Sequence, residues 1–316
     1  MAATTQQQPD PRSSTRPTAR TQLELRGPYD LKEVALMGFG HRDEQSFDSV
    51  MRLAFCVDGD YERQVGVEVR QAGQRLDLTI LGTPGSSELD ETTTSTVARQ
   101  VARVLSADQD GDAFARVCAG DPVLARLQTV APGFRPALFY SPYEAALWSI
   151  LSARRPRAQG IVVRLRLGQE FGATFDLAGV PTVAVPTPSA LMQVEALPGL
   201  PADRIPRLQA IAEAAREGRL SAARLAALEP EQALTELQEL PGIGPFYSTL
   251  ILVRAWGVVD VLPETEGKAR ELVRQLYDWP RNLSDSEYAE LAERWRPFRT
   301  WAAVLVRAMS SRLDTA

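Results

Sequence analysis

The feature that most restricts the fold is a glycine-rich turn between two helical segments. Residues 240–244 read LPGIG. Leucines recur through residues 234–240 at the spacing of one helix face, and residues 246–256 are apolar on most sides, which is typical of a buried helix. The spacing therefore predicts two helices joined by a tight turn.

The composition of this turn indicates what it can bind. Gly242 and Gly244 have no Cβ, so backbone amides can face outward, while Ile243 enters the core. The N-terminus of the following helix adds partial positive charge, which favours a phosphate group. The alternative is a glycine C-cap that only joins two core helices.

The pattern changes along the chain. Residues 25–136 contain strand-like runs separated by Gly, Asp and Pro, such as MRLAFCVD, QVGVEVRQ and RLDLTILG. A capping box at Ser141 and Glu144 then begins a series of helices. We predict an α+β fold: a disordered tail over 1–24, an N-terminal α+β domain with an antiparallel sheet over 25–136, and an all-α bundle over 137–316.

The amino-acid composition limits the classes of protein and the kinds of chemistry that this chain can support. No stretch approaches the roughly 20 apolar residues of a membrane helix, which excludes a membrane-spanning protein. Two cysteines, Cys56 and Cys118, are too few for a disulfide framework or a four-cysteine metal site, and they favour a reducing cytoplasm. With His41 as the single histidine, we expect any chemistry to depend on carboxylates.

The net charge of −5 gives no global basic field that would attract nucleic acid. A local basic face would suffice for an enzyme that acts at one site. The cations are almost all arginines, Lys32 and Lys268 being the only lysines. Arginine is the better bidentate phosphate ligand.

The loop that follows the buried helix gives the hairpin a wider context. Residues 256–270 (WGVVDVLPETEGKAR) form a Gly/Pro loop that carries acidic residues to the start of another helix. Here the chain resembles the helix-hairpin-helix, Gly/Pro-Asp (HhH-GPD) superfamily of base-excision DNA glycosylases, and within it the 3-methyladenine DNA glycosylase II branch. The likeness runs from about Gly27 to the C-terminus. Its agreeing segments are 28–30 (PYD), 143–144 (YE), 150–151 (IL), 186–188 (PTP), 237–244 (LQELPGIG), 254–256 (RAW), 260–261 (DV) and 293–299 (ERWRPFR).

The resemblance implies a sheet domain followed by a helical bundle, with the target nucleotide flipped into a cleft between them. It also implies that the hairpin holds the DNA backbone and a monovalent cation. The cation would bind main-chain carbonyls, which fall here on Gln238, Leu240 and Ile243. No other cofactor is expected.

The family's catalytic aspartate falls on Glu266. In the family this carboxylate stabilises positive charge on the deoxyribose and helps to aim water at C1′. Glutamate keeps the charge but extends the side chain by one methylene, about 1.5 Å of bond length, so we expect weakened catalysis unless the backbone compensates. The alternative is a helix-start acid paired with Arg270, and Glu264 and Asp260 are other candidate carboxylates.

The base pocket of the family is built from stacking aromatic rings. Those positions fall on Phe246, Leu250, Gly267 and Arg307, so only Phe246 keeps a ring. Losing rings removes part of the attraction for cationic alkylated bases. Trp301 and Tyr247 are candidates to replace them in space, although at helical spacing both fit a core position.

The apolar wedge that fills the gap left by a flipped base falls on Arg154. Arginine can fill such a gap by stacking and hydrogen bonding, or it can simply be part of a solvated basic helix end. Either interpretation puts positive charge where phosphates pass. The predicted DNA-binding residues are Pro241, Gly242, Ile243, Gly244, Arg154 and Arg155.

Two glycosylase subclasses are excluded by residue identity. Members with a lyase step place a Schiff-base lysine two residues after the second hairpin glycine, where this chain has Phe246. Iron–sulfur members carry a C-terminal loop of four cysteines, and no cysteine follows Cys118.

The sequence thus predicts a cytoplasmic, nucleoid-associated bacterial-type enzyme. It would act as a monomer on double-stranded DNA with damaged bases, hydrolysing the N-glycosidic bond of alkylated purines without a lyase step. The alternative is a weakened or inactive member that recognises damaged or distorted DNA. A weaker option is an interaction protein that no longer binds DNA.

Overall fold

The computed structural model describes residues 18–42, 45–86, 88–262 and 266–313. It confirms the predicted α+β class. The N-terminal part contains a four-stranded antiparallel sheet in the order β1-β4-β3-β2. Its strands are β1 (Thr18–Glu24), β2 (Met51–Val57), β3 (Asp60–Gln71) and β4 (Arg75–Gly82).

Strand β1 corrects one expectation. The prediction of disorder over residues 1–24 is wrong for residues 18–24, and residues 1–17 lie outside the described ranges. Exposed and half-buried residues alternate along β1, and Ala19 and Leu23 pack against the core of the sheet. Pairing with β4 over the whole strand therefore stabilises a segment whose composition alone is polar.

Four helices accompany the sheet: α1 (Leu31–Ala35), α2 (Glu91–Val104), α3 (Gly111–Ala119) and α4 (Pro122–Val130). Each begins at an aspartate whose side chain accepts a backbone N–H of the first turn, as is usual for an N-cap. Val97 and Val101 of α2 are fully buried against one face of the sheet. This packing builds the core of the N-terminal part.

Ten helices and a hairpin follow in the described residues. They are α5 (Pro142–Ser152), α6 (Arg157–Phe171), β5 (Thr174–Leu177), β6 (Val180–Val183), α7 (Pro188–Leu191), α8 (Ile205–Arg216), α9 (Ala222–Ala226), α10 (Pro230–Gln238), α11 (Pro245–Ile251), α12 (Gly267–Leu276), α13 (Asp285–Ala292) and α14 (Arg299–Leu313). A π-helical turn over Leu252–Trp256 continues α11. None of the described helices has the length and apolar character that crossing a membrane requires.

The β5–β6 hairpin is an addition to the predicted all-α part. Ala178 and Gly179 both have positive φ, as a two-residue hairpin turn requires. Phe175 and Leu177 are fully buried on β3, where a Cβ at Gly66 would lie 2.7 Å from Phe175 Cγ. The hairpin therefore covers the face of the sheet opposite α2, and Gly66 permits its close approach.

The helical part has a buried helix at its centre. All residues of α5 from Pro142 to Leu151 are buried. This includes Glu144, which accepts a hydrogen bond of 3.1 Å from the buried Arg164 of α6. Burial raises the pKa of Glu144 to about 7 even though Arg164 opposes the shift.

The predicted boundary near residue 136 does not separate the two cores. Helices α3 and α4 precede that boundary, yet Phe114 and Leu127 share a core with Trp295 and Trp301 from the C-terminal end. The rings of Phe114 and Trp301 meet edge to face, with centroids 5.0 Å apart. The two parts of the chain are thus joined by a common apolar core.

Candidate functional site

A cleft of about 560 Å³ lies between the segment after α1, the C-terminal end of α5, α11 and α14. Four of the five residues predicted for catalysis and base binding line it: Glu266, Phe246, Leu250 and Arg307. These side chains come from three different helices, so the fold brings together positions spread over 62 residues of sequence, 246 to 307 inclusive.

Glu266 is the N-cap of α12. Its Oε2 accepts the backbone N–H of Ala269 at 2.8 Å, and its Oε1 lies 3.7 Å from Nε of Arg307. The side chain is 35% exposed, so the carboxylate is open to the cleft. The cap fixes the longer glutamate side chain at the start of α12.

The alternative carboxylates differ in position. Asp260 is held by Arg296 at 2.8 Å and by Arg299 at 2.9 Å, and it does not line the cleft. Glu264 lies outside the described residues. Arg270, considered as the partner of Glu266, forms its ion pair with Asp285 at 2.5 Å.

Aromatic rings are more numerous in the cleft than the sequence positions suggested. Phe246 is 52% exposed and meets Tyr247 edge to face, with centroids 5.2 Å apart. Phe39, Phe139 and Trp148 add further rings. Sequence reasoning missed Phe39, whose signal is a Gly-Phe-Gly segment in which both glycines have φ of +60°.

The structure contradicts the prediction for Trp301. It was predicted as a pocket ring, but it is 2% exposed and packs against Phe114 and Phe298 in the shared core. Its helix α14 presents Arg307 to the cleft instead. The large apolar face of the indole is better buried on the side where α3 and α4 approach.

Arg254 lies beneath the rings. Its guanidinium carbon is 3.6 Å from the Phe39 ring centroid, and its Nη2 donates to the Ala137 carbonyl at 2.6 Å. Its buried Nε has no hydrogen-bond partner among the described residues. Burial, with a smaller contribution from Arg42, lowers the pKa of Arg254 to about 9.

The hairpin joins α10 and α11 as predicted. Ile243 is 3% exposed, and its N–H donates to the Leu240 carbonyl at 3.0 Å. Gly242 has φ of +92°, and a Cβ there would lie 2.8 Å from Ile150 Cδ1. Gly244 has an ordinary φ of −98°, and a Cβ there would meet nothing within 4 Å. The two glycines therefore serve different needs, close packing at Gly242 and an open backbone at Gly244.

This difference gives a prediction. We expect Gly242→Ala to lower the free energy of unfolding by at least about 1–2 kcal/mol, because alanine must adopt a left-handed backbone conformation and its methyl group would clash with Ile150. Gly244→Ala should leave stability within about 0.5 kcal/mol, because its methyl group meets open space. It should weaken DNA binding, because the methyl group would stand where the resemblance places a phosphate. Urea denaturation and DNA titration of both variants measure this. Equal stability of the two variants would contradict it.

The predicted wedge occupies an exposed turn after α5. Arg154 is exposed and has φ of +53°. Arg204 donates from its two Nη atoms to the carbonyls of Ile150 and Ala153, each at 2.8 Å, which ties this turn to α8. Arg155 lines the cleft and donates to the Gly199 carbonyl at 3.0 Å. The turn thus presents Arg154 to solvent at one side of the cleft.

Arg157 has a structural task in addition to its charge. Its Nε donates to the Gly40 carbonyl at 3.0 Å, and its Nη2 donates to the Arg42 carbonyl. These bonds fix the segment that carries Phe39 against the start of α6. Arg157 is therefore a weaker candidate than Arg154 for contacts to DNA.

The carbonyls proposed for a cation fit such an ion in chemistry. Helix α10 ends at Gln238, and the last carbonyls of a helix have no partner within it. Carbonyl oxygens are hard ligands, and a helix C-terminus carries partial negative charge. The Leu240 carbonyl also accepts the Ile243 N–H and retains a second lone pair.

Comparison with known proteins supports the resemblance seen in the sequence. The chain is 30% identical over 186 residues to DNA-3-methyladenine glycosylase 2 of Escherichia coli (strain K12). The match covers 57% of this chain and 61% of that protein, so it spans less than two thirds of the relative's length. No protein-family profile matches the chain.

Two solved structures share the fold over most of the chain. The 3-methyladenine DNA-glycosylase from Archaeoglobus fulgidus has a TM-score of 0.73 and 21% identity, covering 94% of this chain and 100% of that one. MBOgg1 in complex with a low-affinity DNA ligand has a TM-score of 0.70 and 17% identity, covering 95% and 99%. The predicted resemblance to helix-hairpin-helix glycosylases is therefore confirmed, in sequence by the bacterial relative and in fold by these structures.

Proposed function

We propose that the protein is a monofunctional DNA glycosylase that hydrolyses the N-glycosidic bond of damaged purines, alkylated purines among them. It would act in the cytoplasm as a monomer on double-stranded DNA. The observation that carries this proposal is the Glu266 carboxylate, which opens into a cleft walled by Phe246 and Phe39. Such a cleft suits a flipped base held between rings with its sugar beside a negative charge.

The reaction follows from the placement of charge. Breaking the glycosidic bond leaves positive charge on the deoxyribose, and Glu266 would oppose it and orient the attacking water. Its N-cap hydrogen bond to Ala269 holds the carboxylate in one position before substrate arrives. That bond offsets part of the freedom added by the extra methylene of glutamate.

The DNA would be held on two sides of this cleft. The open backbone at Gly244 and the N-terminus of α11 suit a phosphate group. Arg154 and Arg155 supply positive charge on the other side. A monovalent cation at the carbonyls of Gln238, Leu240 and Ile243 would add positive charge beside the hairpin.

The reaction should stop once the base is released and leave an abasic site in the DNA. A lyase step needs an amine that attacks C1′ and forms an imine. Lys32 and Lys268 are both exposed, and neither lines the cleft. Borohydride added during turnover should therefore trap no protein–DNA adduct, and strand breaks should appear only after alkali. An adduct that is lost in Lys268→Ala would overturn the assignment, and Lys32→Ala is the matched control.

A second candidate function is recognition of damaged DNA without hydrolysis. The observation that favours it is the engagement of both Glu266 oxygens, one by Ala269 and one by Arg307. The deciding experiment measures base release and binding on the same alkylated duplex. Binding without release above the uncatalysed rate would select this second function. If the protein neither binds the duplex nor releases the base, the interpretation as an interaction protein remains.

A further inference from the structure

The charge of the cleft is unusual for a site that would hold a cationic base. Four arginines line it, Arg155, Arg157, Arg254 and Arg307, against one acidic residue, Glu266, counted over the described residues. A ring-methylated purine such as 7-methylguanine carries a positive charge. This excess of arginine opposes such a base and is compatible with an uncharged one.

Among these arginines, Arg307 lies beside the single acidic residue of the cleft. Its Nε lies 3.7 Å from Glu266 Oε1, and its side chain is 45% exposed. Its cleft-lining neighbours on α14 are Thr300, Ala303, Val304, Ala308 and Ser311, none of them larger than valine. The fork of the guanidinium therefore faces the cleft beside the one carboxylate, without a large side chain on its own helix to cover it.

One of the aromatic rings in the cleft is already in contact with an arginine. A cationic base gains most from an open ring face. Phe39 already has the Arg254 guanidinium 3.6 Å from its ring centroid. Phe246 is the most exposed ring of the cleft and offers a face for stacking, which serves a neutral purine as well.

We propose that Arg307 is a specificity-determining residue that selects an uncharged damaged purine over a cationic one, by donating to acceptor atoms on the Hoogsteen edge of the base. The inference rests on the proposed glycosylase function. Arginine recognises O6 and N7 of a purine with two hydrogen bonds. Hypoxanthine offers both acceptors and no charge, whereas 7-methylguanine has a methyl group on N7 and carries a positive charge.

The experiment measures single-turnover release of hypoxanthine and of 7-methylguanine from duplexes of otherwise identical sequence. Each rate is divided by the uncatalysed rate for that base. We expect wild type to favour hypoxanthine by this measure. Arg307→Met should lower the hypoxanthine to 7-methylguanine ratio by about 10- to 100-fold, the range of one bidentate contact to a base. Arg307→Lys should lower hypoxanthine release while still disfavouring 7-methylguanine, because it keeps the charge and loses the fork.

Arg126→Met is the matched control, because Arg126 is exposed and does not line the cleft, and its ratio should equal that of wild type. A ratio unchanged in Arg307→Met would overturn the inference and leave the proposed function standing. So would a wild-type preference for 7-methylguanine. Release of neither base by wild type would instead refute the proposed function. Binding of all variants to an abasic duplex reports that they are folded.

Discussion

Replacing Glu266 by glutamine is expected to lower the rate of base release at least about 100-fold while leaving DNA affinity within about twofold. The amide oxygen can still accept the Ala269 N–H, so the start of α12 is preserved. What the variant loses is the negative charge that opposes the cation on the sugar, and removing one such stabilising group typically costs about 100- to 1,000-fold. Single-turnover base release and DNA titration measure the two effects.

Glu266→Asp is the matched control. Aspartate is a favoured N-cap and is the residue that the family resemblance implies at this position, so this variant should match or exceed wild type if the cleft has the family geometry. Equal activity of wild type and Glu266→Gln would remove Glu266 from the mechanism. Attention would then move to Glu264 or Asp260, although Asp260 is already paired with Arg296 and Arg299.

The second large effect is expected at the exposed turn after α5. Reversing both charges in Arg154→Glu/Arg155→Glu should weaken duplex binding about 100-fold at low salt. It should also lower the slope of log affinity against log salt by about two units, one for each phosphate that an arginine no longer neutralises. Fluorescence anisotropy of a labelled duplex at several salt concentrations measures both quantities.

The control for this variant is Arg99→Glu/Arg126→Glu. It changes the net charge by the same amount at two exposed arginines that do not line the cleft. We expect a much smaller loss of affinity and an unchanged salt slope. An equal loss in both double variants would show that net charge alone, and no specific contact, sets the affinity.

The sequence prediction of the site had two sources, local patterns for the hairpin and the family resemblance for the side chains of the cleft. The hairpin was predictable because two glycines around Ile243 between apolar helices allow few other arrangements. Glu266, Phe246, Leu250 and Arg307 were identified through the resemblance to the glycosylase family, and the structure brings them to one cleft.

The remaining features depend on contacts between distant segments. From the sequence, Trp301 could face either the cleft or a core. It lies in the core because α3 and α4 pack against it. Phe39 enters the cleft because Arg157, more than 100 residues later in the chain, binds the carbonyl of Gly40. Strand β1 owes its order to β4 and not to its own composition. No local pattern records such pairings.

The core shared by α3, α4 and α14 has a consequence for how this molecule can move and be divided. One face of α14 carries Arg307 into the cleft, while a neighbouring face buries Trp301 against Phe114. Hinge opening of the cleft about residue 136 would expose that aromatic cluster to water, so such a motion is opposed by the hydrophobic effect. Calorimetry should accordingly record one cooperative melting transition. A fragment that starts at residue 137 would lack α3 and α4, which share a core with its last helix.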